Sequence, residues 1–302
     1  MTFKEKIQAG KFLVTSEIGP PKGIETKIIL EDAELIRGRV DGINVTDLQS
    51  SVMRLGSLAV CSLLKQKGFE PIFQVTCRDR NRLALQSDIL SAAALGIENL
   101  LILTGDYTTL GDHPEAKPVF DLDSVQLLQV VCKLQEGFDM NGNKLEGALP
   151  KFCVGAVVNP GADPIEPQIM KMEKKIEAGA EFFQTQAVYD IKVFENFLSK
   201  IKHLKTTILA GIVLLKSAGM ARYMNKNVAG VTVPQDLIDE MESVSKEDRQ
   251  KKSIEIAAGL IKQLKPMCQG VHIMPIGWNK EVPLLLDAAE LGGRFSPTIC
   301  AT

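Results

Sequence analysis

Only three of the 302 residues are histidine, and His113, His203 and His272 stand far apart in the chain. The six cysteines, at 61, 77, 132, 153, 268 and 300, form no C-x-x-C pair. Zinc and iron–sulfur sites need clustered ligands at short spacing, so this sequence assembles neither. Four of the cysteines lie inside apolar runs and read as buried free thiols. No apolar run reaches 18 residues, so nothing is expected to span a membrane. The opening MTFKEKIQAGKF lacks the apolar core of a secretory signal, and a soluble, cytoplasmic protein is expected. The net charge of −2 supplies no basic field for nucleic acid.

What remains is an ordinary globular balance, 45% apolar and 24% charged, in a length that suits one large α/β domain or two smaller ones. The chain alternates short apolar runs with helical patterns. Strands are expected at 12–17, 42–47, 71–77, 100–106, 152–158, 182–186, 207–214 and 270–275. Helices are expected at 25–37, 51–67, 83–95, 124–136, 167–178, 191–203, within 217–264 with restarts at Pro234 and Glu247, and at 281–291. Strands separated by helices must run parallel. Eight such units fit a closed (β/α)8 TIM barrel, read as a single domain over 1–302. An open doubly wound sheet is the runner-up. It would carry a Gly-rich phosphate loop after its first strand. Here that loop is Gly19-Pro20-Pro21-Lys22-Gly23, whose prolines remove amide donors.

In a barrel, the C-terminal ends of all strands share one mouth. The tips carry Glu17, Thr46-Asp47, Gln74 to Cys77, Thr104-Gly105-Asp106, Asn159, Gln186, Lys216 and Met274-Pro275. Carboxylates, amides and hydroxyls without a metal set are suited to protonating and hydrogen-bonding a polar heterocycle. There is no Ser–His pair for acyl transfer. Tip polar residues also cap helices, which is an even alternative for Asp47 and Thr104. Two prolines follow Glu17 closely, so a cap is a poor explanation for it. Small residues at Gly105, Gly155, Ala156 and Gly161 are expected to leave open space where a flat ring could approach the backbone, although glycine also simply eases a turn. Lys174 and Lys175 could reach a phosphate or be solvated.

These residues fall in motifs that resemble one family through nearly the whole chain. They are VTSEIGPPKG (14–23), DGINVTD (41–47), QVTCRDRN (74–81), LLILTGD (100–106), VGAVVNPGADP (154–164), KKIEAGAEFFQTQAVYD (174–190), LAGIVLL (209–215) and GVHIMP (270–275). Together they resemble the flavin-dependent methylenetetrahydrofolate reductases of one-carbon metabolism. The loop at 111–124 is similar to the branch found in anaerobic and methyl-transferring bacteria. The resemblance implies a flavin across the mouth, FMN or FAD, and reduction of 5,10-methylenetetrahydrofolate to 5-methyltetrahydrofolate. It implies Glu17 as general acid, Asp106 as the aspartate that holds the pterin and tunes the flavin, and Gln186 and Lys280 as folate contacts. Thr46, Gln74, Thr104, Gly105, Asp106, Asp121, Gly155, Ala156, Val157, Lys174 and Lys175 fall on flavin-binding positions.

The chain departs from the family pattern in several places. Gln74 stands where a histidine is usual, Val157 replaces a tyrosine, and Gly161, Gln168 and Lys171 replace side chains that hold the adenylate half of FAD. Near Ala218 a phenylalanine that sandwiches folate or nicotinamide is missing. The resemblance therefore leaves two donors open, NAD(P)H and an iron–sulfur partner subunit, and leaves homo- or hetero-oligomers open. Two other readings compete. One is a Schiff-base aldolase barrel with Lys216 as nucleophile. The other is a non-catalytic barrel subunit that binds folate or docks a redox partner.

Overall fold

Each expected apolar run forms a strand, and every pairing between neighbours is parallel. The strands are β1 (Leu13–Ile18), β2 (Gly42–Val45), β3 (Pro71–Thr76), β4 (Asn99–Leu103), β5 (Cys153–Val158), β6 (Phe182–Ala187), β7 (Thr207–Val213) and β8 (Gly270–Met274). β1 pairs with β8 as well as β2, which closes the sheet into an eight-stranded barrel. The computed structural model describes residues 1–292. The remainder of the expected 1–302 domain, with Cys300, lies outside the described residues.

Side chains alternate across each strand, so the barrel has an inner and an outer face. The outer face packs against helices through residues such as Val14, Val45, Val75, Ile102 and Ala156. The inner face is layered. Its floor is a separate apolar cluster of Phe3, Leu13, Ile72, Leu101, Cys153, Phe182 and Leu209. Above the floor the inward residues turn polar: Thr15, Asn44, Gln184 and His272 are all buried.

The helices follow from familiar signals. α7 (Ile191–Lys200) starts at Asp190, whose carboxylate accepts from the Lys192 and Val193 amides, and it buries Phe194 and Phe197 one turn apart. α5 (Ser124–Glu136) carries an Asp123–Gln126 capping box and ends at Gly137, whose φ of 94° admits only glycine comfortably. The stretch expected to be helical after 217 divides into α8 (Ala218–Asn227), α9 (Gln235–Glu242) and α10 (Arg249–Leu264), with breaks at the two expected restarts.

Two elements differ from expectation. The opening residues form a helix, α1 (Phe3–Gln8), fixed by a Thr2–Glu5 capping box. It sets Phe3 edge-on against Phe182, centroids 5.3 Å apart, and so plugs the floor of the barrel. Lys6 pairs with the buried Asp41 at 2.9 Å, and Asp41 also accepts from the Val14 amide. The second difference is α3, which begins at Ser57 rather than 51 (Ser57–Gln66). Leu48, Ser50 and Ser51 have positive φ, which no α-helix tolerates.

Candidate active site

Glu17 stands on the inner face of β1, two residues beyond Thr15, near the mouth. Its side chain is 13% exposed. One oxygen, Oε1, faces two nitrogen donors: Gln74 Nε2 on β3 at 3.2 Å and His272 Nε2 on β8 at 3.6 Å. Beneath it lies a continuous hydrogen-bonded layer. Asn44 and Gln184 exchange two amide bonds, at 2.9 and 3.0 Å. Gln184 Nε2 also donates to Thr15 Oγ1 at 3.1 Å, and Thr15 Oγ1 lies 2.9 Å from His272 Nδ1. Buried amides and hydroxyls are stable only when paired, and here the bonds cross the barrel interior, from β2 to β6 and from β6 to β1, before β1 meets its neighbour β8.

The tips of β2 to β4 are held by a second network. Asp47 accepts from the Thr76 amide and hydroxyl at 2.9 and 2.8 Å and pairs with Arg80. Its carboxylate therefore ties β2 to β3. Arg78 is 1% exposed. It forms a bidentate pair with Asp79 and donates to the carbonyls of Leu48 and Asp106. The left-handed turn after β2 and the end of β4 thus hang on one guanidinium. Nothing in the sequence marks this arginine off from Arg80 and Arg82 in the same charged run.

The expected ligand contacts sort into three groups. Glu17 and Gln74 are in direct contact. Thr46, Asp106, Gln186 and Lys175 belong to other sectors of the rim. Thr46 is 1% exposed, and its hydroxyl has no partner among the described residues. Asp106 and Gln186 are exposed; a register shift of β6 against β7 between Gln184 and Ala187 accompanies the turn of Gln186 toward solvent. Lys175, on α6 (Glu166–Glu177), is 5% exposed and donates to the Val157 carbonyl at 2.6 Å. Burial, and then Lys171, push its pKa down to about 8, with Asp123 opposing. A buried ammonium with one carbonyl for a partner is the setting in which an anion is welcome.

The third group has no contact with that cluster. Thr104 donates to Ser124 at 3.1 Å and joins β4 to α5. Asp121 is clamped by the Arg82 amide and guanidinium, which lowers its pKa to about 2. Lys174 and Lys280 are exposed. Lys216 places its ammonium 5.4 Å from the Trp278 ring centre.

The expectation of open space at four small residues is corrected. A Cβ on Gly155 would lie 2.2 Å from Phe182, and one on Gly161 would lie 2.1 Å from the Gly230 carbonyl. Ala156 packs in the barrel–helix layer. Gly105, at φ 95°, would press a Cβ to 3.0 Å from Arg78. These residues are small to admit protein neighbours. Sequence reading also missed His272, Gln184, Asn44 and Thr15. The available signal was a polar residue inside a short strand that is otherwise apolar at one or both ends, as Asn44 in GINV and His272 in GVHIM.

A surface groove of about 560 Å³ between α4 (Arg82–Ala94) and α5 is lined by leucines and by Gln86, Ser87, Ser91 and Asp139, on the helical layer rather than at the strand ends. The candidate site is the mouth: a closed (β/α)8 barrel with an inward carboxylate above a buried polar layer. A family model described as Methylenetetrahydrofolate reductase matches residues 2–290. The chain belongs to the methylenetetrahydrofolate reductase family.

Among curated relatives, Methylenetetrahydrofolate reductase 2 of Schizosaccharomyces pombe is 25% identical, over 95% of this chain and 47% of its own length. A probable methylenetetrahydrofolate reductase (NADPH) of Caenorhabditis elegans is 23% identical over 69% of this chain and 29% of its own length. This chain thus spans half or less of the length of these relatives. Among solved structures, a Clostridium thermocellum protein that binds two copies of 5-methyl-5,6,7,8-tetrahydrofolic acid shares the fold, with a TM-score of 0.61 and 19% identity over 95% of this chain and 96% of that one. An EDTA monooxygenase from Chelativorans sp. BNC1 shares it at a TM-score of 0.54 and 13% identity, over 95% of both chains.

Proposed function

We propose that this chain reduces 5,10-methylenetetrahydrofolate to 5-methyltetrahydrofolate, using a flavin held at the barrel mouth. The observation that carries the reading is Glu17, a carboxyl group on the inner face of β1 with one oxygen bonded by Gln74 and facing His272, and no described residue bonding the other. Family membership supports the reaction class.

Two features of the rim fit a phosphate-bearing flavin: the partnerless Thr46 hydroxyl and the buried Lys175 ammonium. Thr46 would bond the ring system and Lys175 the phosphate. When bound, the reduced flavin supplies a hydride from N5. Glu17 gives a proton to the bridging imidazolidine nitrogen as that ring opens. The carboxylate it becomes stabilises the 5-iminium cation by charge, in a site partly withdrawn from water. Asp106 and Gln186 hold the pterin, and Lys280 the folate tail. The flavin is FMN or FAD, and mass spectrometry of the released cofactor separates the two. In the cytoplasm the electrons would come from a partner subunit.

The test is Glu17→Gln. The amide keeps the shape and the acceptor but has no acidic proton. Flavin and folate binding should persist, while oxidation of the reduced enzyme by methylenetetrahydrofolate in stopped flow falls by about 10²–10⁴. A rate within about threefold of wild type removes the acid from the mechanism.

A further inference from the structure

We infer that His272 and Thr15 are positioning residues for Glu17: Thr15 holds the His272 ring neutral, with its one proton on Nε2, facing the acid. The inference deepens the reading of Glu17 as proton donor and rests on it for its functional meaning. The tautomer itself is set by hydrogen bonds alone.

Each donor in the layer has an assigned acceptor. Asn44 Nδ2 donates to Gln184 Oε1, and one Nε2 hydrogen of Gln184 returns to Asn44 Oδ1. The other goes to Thr15 Oγ1. Thr15 therefore accepts on that side, and because no other acceptor for its hydroxyl hydrogen is found among the described residues, we direct that hydrogen to His272 Nδ1, 2.9 Å away. A ring nitrogen that accepts carries no proton, so a neutral ring has its hydrogen on Nε2. Nε2 is the atom 3.6 Å from Glu17 Oε1. Thr15, Asn44, Gln184 and His272 are between 0% and 3% exposed, so bulk water cannot replace a lost bond. A second proton on Nδ1 would meet the Thr15 hydrogen head-on, and turning that hydroxyl away would leave a buried donor unpaired.

The arrangement decides where the acid's proton resides. Oε1 faces N–H groups of Gln74 and His272. No described residue bonds Oε2, so a proton on Glu17 is placed there. An imidazolium in place of the neutral ring would hold Glu17 as a carboxylate by charge and leave it nothing to donate. The polar layer below the acid thus keeps that positive charge away from it.

With only three histidines in the chain, ¹⁵N-histidine labelling and long-range ¹H–¹⁵N correlation at pH 7 resolve each ring, and His272→Gln assigns the signal. Wild type should show His272 as the neutral Nε2–H form. Thr15→Val should shift it to the imidazolium or the other tautomer, and Thr15→Ser should restore the wild-type pattern. In single turnover, Thr15→Val should slow folate reduction about tenfold or more with folate affinity unchanged, and Thr15→Ser should recover it. An Nδ1–H pattern in wild type, which needs no variant to fold, overturns the inference, as does a wild-type pattern in Thr15→Val. Failure of the acid assignment is a separate result: Glu17→Gln would retain activity while the His272 pattern stood.

Discussion

Lys175→Met should stabilise the cofactor-free protein at neutral pH. The ammonium is 5% exposed and bonded to one carbonyl, that of Val157, at 2.6 Å. Its pKa falls from 10.5 to about 8, first through burial, then through Lys171. A difference of about 2.5 units at 1.36 kcal/mol each is about 3 kcal/mol held against the charged form. The sign follows from proton counts. Between pH 8 and 10.5 the unfolded chain keeps a lysine proton that the folded chain has released, so stability rises with pH across that window. Below it the full penalty is present. Methionine fills nearly the same volume without charge. It strands the Val157 carbonyl, a loss of about 1 kcal/mol. The expected net gain at pH 7 is about 1–2 kcal/mol, shrinking or reversing by pH 10. Urea unfolding of flavin-stripped protein followed by circular dichroism at the two pH values measures it. A variant less stable than wild type at pH 7, or equally shifted at both, refutes the reasoning. The same variant should bind FMN about 10- to 100-fold more weakly, the loss of one charge-assisted phosphate bond.

Gly155→Ala should destabilise by about 1–3 kcal/mol in chemical denaturation, because its Cβ would sit 2.2 Å from the Phe182 ring in the floor; a neutral outcome would mean that the floor repacks freely. NADH and NADPH should each bleach the flavin band of the oxidised enzyme slowly, while a viologen dye bleaches it fast. The motive is that the start of α8 presents Ala218, buried at 8%, where a nicotinamide needs an aromatic slot. Bleaching at tens per second by either nucleotide would refute a partner-protein donor.

The barrel was legible because its signals are local and repeated. Most strands hold an apolar run, and several helices start or stop on a capping residue, as at Asp123, Asp190 and Gly137. α1 escaped although its Thr2–Glu5 signature is local too; a six-residue helix has too few turns to display a period. The site was legible in type but not in orientation. Lys174 and Lys175 are adjacent in one motif, yet one is exposed and the other buried; the rotation of α6 against β5 decides which. Gly155 and Gly161 illustrate the same limit, since the atoms that need their missing side chains belong to Phe182 and Gly230, distant in sequence. Arg78 reads as one charge in a solvated run until the fold brings the Leu48 and Asp106 carbonyls to its guanidinium.

The floor closed by Phe3 makes the barrel a vessel open at one end. Solvent and reactants share that opening, because the other end is an apolar seal with Phe3 and Phe182 both 0% exposed. In the mechanism proposed above, a flat ligand across the mouth would leave Glu17 with whatever hydrogen it held when the ligand arrived. Each turnover would then draw on a single hydrogen acquired beforehand, and reloading would wait for product to depart. The isotope delivered to the folate nitrogen would be set by the solvent in which the enzyme waited. A rapid transfer from heavy to light water at the moment of binding would carry the memory of the first solvent through one cycle and no further.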